Sequence, residues 1–156
     1  MKHKNLITKM WSHLELREIM DHEKFLSMGE FRHHGNVSCL QHSLSVAEIV
    51  YAISLKKGLD FISATRGALL HDFYLYDWHT DSPGLHGFKH PYISKTNAEK
   101  YFKLNKIEIN TILRHMWPLT PIPPKYPESR LVSFADKKAT YQDYRRGNSL
   151  IDAKSA

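Results

Sequence analysis

The chain has 156 residues, 42% hydrophobic and 24% charged, with a formal net charge of +6 at neutral pH. That length suits one domain around one core, and no apolar run approaches the roughly 20 residues that cross a bilayer. Cys39 is the only cysteine, which excludes an internal disulfide and a thiolate cluster, so any bound metal must use nitrogen and oxygen ligands.

The start of the chain, Met1 to Ile7, is basic but has no adequate apolar stretch behind it, so it does not read as a signal peptide. A reducing, cytoplasmic setting fits the cysteine count. The positive charge favours anionic partners. Its clusters are short (Lys2/Lys4, Lys56-Lys57, Lys137-Lys138, Arg145-Arg146). They suit a small phosphorylated molecule, with no membrane and no stable nucleic-acid complex expected.

Helical periodicity dominates and strand signals are nearly absent. A first helix is expected from Leu6 to Met20 and a short second one from Asp21 to Met28. Phe31 to Asn36 reads as a loop marked by Gly35. Ser38 or Cys39 opens a long helix to about Lys57, closed by Gly58. Val46, Ile49, Val50 and Ile53 form its apolar face, and His42 lies one turn before Val46 on that face. The next helix starts near Asp60 and reaches at least Phe73. Phe61, Thr65, Ala68 and Asp72 fall at spacings of 4, 3 and 4, so Asp72 is turned inward. His71 lines up with Ala64 and Ala68, small residues that allow close helix approach.

Leu75 to His90 reads as an irregular loop, a candidate pocket wall. Pro91 suits the first position of a helix reaching about Leu104. A further helix covers Ile107 to Met116, with His115 at the edge of its apolar face. Five prolines between Pro118 and Pro127 make the next stretch extended and stiff. The last helix runs from about Glu128 to Tyr144, with Val132, Ala135, Asp136 and Ala139 on one face. Residues 147–156 are expected to be a flexible tail on a single helical domain of 1–146, whose metal-binding core spans about 31–144.

Polar residues on inward faces are costly unless something binds them. His42, His71, Asp72 and Asp136 sit on such faces, and two buried carboxylates without matched Arg or Lys point to a divalent ion. His90 and His115 extend the candidate ligand set. His3, His13, His22, His33 and His79 read as ordinary polar residues. Cys39, three residues before His42, reads as a packing residue and not a nucleophile. Lys89 and Arg66 are candidate phosphate contacts, and Lys137 and Arg114 weaker ones. His34 and His86, beside glycines, are candidate proton carriers or substrate contacts. Tyr76, Trp78 and Trp117 could stack on a base.

The order His42, then Ala68-Leu69-Leu70-His71-Asp72, then Asp136 in Ser133-Phe134-Ala135-Asp136-Lys137 resembles the HD-domain metal-dependent phosphohydrolases. His90, in His86-Gly87-Phe88-Lys89-His90-Pro91, and His115, in Ile112-Leu113-Arg114-His115-Met116, match the extra histidines of the two-metal subgroup. The resemblance implies an all-α, single-domain helical bundle of the HD-domain type. It implies that His42, His71, Asp72 and Asp136 hold one ion and that Asp72, His90 and His115 hold a second. Asp72 then bridges the two ions and orients a metal-bound hydroxide, its catalytic role. The ions could be Fe, Mn, Zn, Ni, Co or Mg. One departure is Leu75, where many HD proteins carry a lysine three residues after the motif's aspartate.

The activity these features imply is hydrolysis of a phosphoester or phosphoanhydride of a nucleotide-like small molecule. Alternatives with the same ligands are an HD-type diiron oxygenase and a non-catalytic nucleotide-binding HD domain. Exposed aromatics near Trp11 and Tyr141 permit a homodimer.

Overall fold

The computed structural model describes residues 2–81 and 84–155, with side chains for 5–81 and 84–146. Among them the architecture is the expected all-α bundle. Its helices are α1 (Lys2–Trp11), α2 (Leu14–Met20), α3 (Glu23–Leu26), α4 (Cys39–Lys57), α5 (Phe61–Leu70), α6 (His86–Tyr101), α7 (Lys106–Arg114) and α8 (Pro127–Ser155). A small antiparallel hairpin, β1 (Arg32–His34) and β2 (Val37–Ser38), precedes α4. No helix is long and apolar enough to cross a membrane.

Helix α5 lies at the centre, against α2, α4, α7 and α8. Every residue from Ser63 to Leu70 is buried. Leu16, Ile19, Phe25, Val46, Val50, Leu69, Phe73, Ile112 and Val132 close the core around it. Each such side chain contributes roughly 1.5–3 kcal/mol when fully buried. Gly67 is what lets α7 approach: a Cβ there would meet the Thr111 side chain at 2.8 Å.

The caps of α4 follow the sequence. Ser38 accepts from the Gln41 N–H, Gln41 answers on the Ser38 N–H, and Gly58 ends the helix at φ +65°. The expected helix Leu6–Met20 is instead two helices. The Ser12 hydroxyl donates to the Lys9 carbonyl at 2.6 Å, and His13 turns extended to start α2. The stretch expected as a loop, Phe31 to Asn36, carries β1, and Gly35 turns the hairpin at φ +56°.

Two boundaries near the candidate ligands also differ from expectation. Helix α5 stops at Leu70, where the His71 ring takes up the Ala68 carbonyl at 2.6 Å. Helix α6 begins at His86, so Pro91 lies inside it and not at its start. The earlier start places the His86 carbonyl 2.9 Å from His90 Nδ1. The backbone of 147–155, expected as a flexible tail, continues α8; its side chains and Ala156 lie outside the described residues.

Candidate metal centre

His42 on α4, His71 and Asp72 just past α5, His90 on α6, His115 just past α7 and Asp136 on α8 converge. All six are buried. The two oxygens of Asp72 face different groups. Oδ2 lies 2.8 Å from His33 Nε2, 3.2 Å from His71 Nε2 and 3.9 Å from His42 Nε2. Oδ1 lies 3.0 Å from His90 Nε2 and 3.4 Å from His115 Nε2. Asp136 Oδ1 is 2.9 Å from His42 Nε2 and 3.6 Å from His71 Nε2.

The far side of each ring fixes which nitrogen carries its proton. Nδ1 of His71, His90 and His115 each meets a backbone carbonyl, at 2.6, 2.9 and 2.8 Å. A carbonyl only accepts, so these rings donate from Nδ1. His42 Nδ1 likewise faces the Asp143 carboxylate at 3.0 Å. In the neutral rings, each Nε2 lone pair is therefore aimed at carboxylate oxygens or at another Nε2; those of His90 and His115 are 2.9 Å apart. His71 Nε2 is buried and makes no hydrogen bond. Acceptors facing acceptors need a cation between them, a proton or a metal ion. Imidazoles tied through their second nitrogen to carbonyls or a carboxylate are the usual supports of a metal site. One atom from each of His42, His71 and Asp136 lies within 4.8 Å of the others, and the same holds for His71, Asp72 and His115, and for His33, His42 and Asp72. These donors fit a divalent metal.

The electrostatics give the competing occupant. Burial disfavours the His42 imidazolium, but Asp136 and Asp143 outweigh it and lift the ring to about 9. Burial also opposes charge on His71, and Asp72 and Asp136 carry it well above its ordinary value. Asp72 and Asp136 are held well below the carboxylate range: burial opposes this and the surrounding imidazoles overcome it. Burial lowers His115, so it offers a neutral ring.

Without metal, then, His42 and His71 keep protons at pH 7. That raised pair stabilises the metal-free fold fully below pH 6.5, and for His42 the contribution is lost as pH rises through about 9. Metal must displace those protons. Calorimetric metal titrations in two buffers of different ionisation enthalpy are expected to show net proton release at pH 7, shrinking toward pH 9. No release at pH 7 would mean the rings are already neutral.

A cavity of about 870 Å³ opens onto Asp72, His90, His115 and Asp136. Of the expected substrate contacts, His34, His86 and Lys137 line it. Lys137 Nζ donates to the carbonyls of His115 and Ser133 and to Ser133 Oγ. His34 and His86 are each lowered to about 4, by burial and then by neighbouring imidazoles. Trp78 is on the wall too, whereas Tyr76 is spent on His86 Nδ1 at 2.9 Å and Trp117 is not on the wall.

Two expected contacts are corrected. Arg66 is buried away from the cavity, with Nε on Glu108 at 2.8 Å and Nη1 on Glu18 at 2.9 Å. It is a core ion-pair residue, because α5 is buried along its length there. Lys89 is exposed on α6 and does not line the cavity. Cys39 is buried against the Tyr74 hydroxyl at 3.1 Å, and burial pushes its thiol up to about 12, which fits packing and not attack.

Two site residues escaped the sequence reading. His33, taken as ordinary, is buried, bonds Asp72 Oδ2 and stacks on His42 with ring centres 4.0 Å apart. Asp143 orients His42. It sits four residues after Ala139 on the Asp136 face, a periodic signal that could have revealed it.

An all-helical bundle with histidine and aspartate donors at its centre defines a metal-binding domain. The HD domain family matches residues 39–141, and this chain belongs to that family. The family is mostly metal-dependent phosphohydrolases, and its domains bind divalent metals. The match spans His42 to Asp136 but leaves His33 and Asp143 outside it. No curated protein and no solved structure matches the chain.

Proposed function

We propose that the protein is a two-metal phosphohydrolase that cleaves a phosphoester or phosphoanhydride of a nucleotide-like small molecule. The observation that carries this reading is the division of Asp72: Oδ2 faces His33, His42 and His71, while Oδ1 faces His90 and His115. His42, His71, Asp136 and Asp72 would hold one ion, with His33 beside them, and Asp72, His90 and His115 the other. Divalent ions bound there supply Lewis-acid polarisation of a phosphoryl oxygen and a water acidic enough to attack near neutral pH.

The chain's own residues do the rest. Asp72 spans both groups and fixes their separation. Lys137, anchored on the His115 carbonyl, presents positive charge to the wall beside Asp136. His34 and His86, neutral at pH 7, are proton acceptors on that wall and not charge partners for phosphate. In the overall reaction a water oxygen bonds to phosphorus, the bond from phosphorus to the leaving oxygen breaks, and that oxygen ends protonated.

A panel of nucleotides and phosphomonoesters with Mn²⁺ or Fe²⁺ tests the reading. Phosphate release is expected from at least one. No release from any, with the metal site filled, overturns it; oxygen uptake by the reduced iron form would then favour the diiron oxygenase. Replacing His33 with Ala is expected to weaken metal affinity by about tenfold, read by competition with a chelating dye. Unchanged affinity would remove His33 from the site.

A further inference from the structure

The cavity over the metal centre is larger and less charged than a string of phosphates requires. Its volume of about 870 Å³ is in the range that encloses a drug-sized molecule. Among the described residues, Lys137 is the only Lys or Arg on its wall, and its ammonium already serves three acceptors. A tri- or tetraphosphate would bring several negative charges and, beyond bound metal, meet that one cation.

Outside Lys137 and the histidines and aspartates that line it, the wall carries Trp78, Met116, Pro118, Leu119, Tyr141 and Tyr144, with Gly87 and Thr140. Much of the polar capacity there is engaged within the protein. Trp78 Nε1 donates to the His33 carbonyl, and the Tyr144 hydroxyl pairs with His34 Nδ1. Leu119, Tyr141 and Tyr144 line the cavity and are still 52%, 64% and 53% exposed. Apolar and aromatic area therefore faces the space a ligand would enter, beside a metal centre suited to one phosphoryl group.

We infer that the substrate is a phosphate ester with a single phosphoryl group on an aromatic or otherwise apolar body, and not a polyphosphate. The inference rests on the hydrolase reading and narrows it. The phosphoryl group lies at Asp72 and Asp136, and the body lies against Trp78, Tyr141 and Tyr144. Water adds to phosphorus, the ester bond to the body breaks, and the products are inorganic phosphate and the free alcohol or phenol.

The test uses the full chain loaded with Mn²⁺ and three compounds: naphthylethyl phosphate (whose leaving group is an alcohol, as in glycerol phosphate), glycerol 3-phosphate and adenosine 5′-tetraphosphate. The expected kcat/KM for naphthylethyl phosphate is about tenfold above glycerol phosphate, the scale of one ring stacked on aromatic side chains, and also above the tetraphosphate. Replacing Tyr141 with Ala is expected to shrink the naphthyl-to-glycerol ratio several-fold. Preference for the tetraphosphate, or equal rates on the two monoesters, overturns the inference and leaves the hydrolase reading standing. Phosphate release from none of a wider panel overturns the hydrolase reading instead. Calorimetric titration with the same three compounds then decides the pocket's preference: tightest binding of naphthylethyl phosphate supports it, and tightest binding of the tetraphosphate overturns it.

Discussion

Replacing Asp72 with Asn is expected to lower metal affinity by about 100-fold or more and, with it, to remove the phosphohydrolase activity proposed for the site. Loss of a residue that merely supports a ligand costs about 10- to 100-fold, and Asp72 contacts more of the site than any support does. Five imidazole nitrogens lie within 3.9 Å of its two oxygens. The amide removes the negative charge and turns an N–H₂ toward one of the two groups, where a donor repels a cation. Elemental analysis after dialysis measures the metal, and far-UV circular dichroism separates loss of the site from loss of the fold. Helicity is expected to persist, at lower stability, since the core cluster of α4, α5, α7 and α8 is built from apolar side chains. Metal content equal to wild type would place the ion elsewhere.

Replacing Arg66 with Ala is expected to destabilise the fold by about 3–5 kcal/mol, the cost of leaving one member of a buried ion pair behind. The guanidinium joins three parts of the bundle. Nε holds Glu108 of α7, Nη1 holds the Glu15 carbonyl and Glu18 of α2, and Nη2 holds the Lys103 carbonyl. The Glu108 side chain is only 3% exposed, so its charge would be stranded. Lysine cannot replace this planar fork. The double substitution of Arg66 to Met and Glu108 to Gln is expected to recover part of the loss, because no charge remains buried. Urea unfolding measures both.

The pH dependence provides a second check. Burial raises Glu108 above its ordinary value of 4.5, with Arg66 opposing. Without Arg66 the carboxyl rises further. A raised carboxyl favours the fold below its unfolded value and penalises it as pH rises through the folded value. The deficit of the single variant is thus smallest near pH 4.5 and grows above it. A deficit independent of pH would mean that lost packing, and not stranded charge, is the cause.

These two residues also show what the amino-acid order reveals. Asp72 was legible because helical spacing turned it inward and a family resemblance gave it a partner set. His42, His71 and Asp136 were legible in the same way. Arg66 was misread as a substrate contact because its partner Glu108 lies 42 residues away, and periodicity says nothing about which distant charge will meet it. His33 was missed because it sits on a hairpin strand three residues long, too short to carry a periodic signal. The α6 boundary was misplaced because proline favours a helix start. The start comes one turn earlier, where the His86 ring stacks on His90.

The contact at Gly67 reaches further than its own surroundings. Thr111 meets it where α5 and α7 cross, and each helix delivers a ligand four residues later, His71 from one and His115 from the other. A missing methyl group thus acts as a gauge block for the two halves of the cage. Enlarging that position would wedge the crossing open and spread donors it never touches.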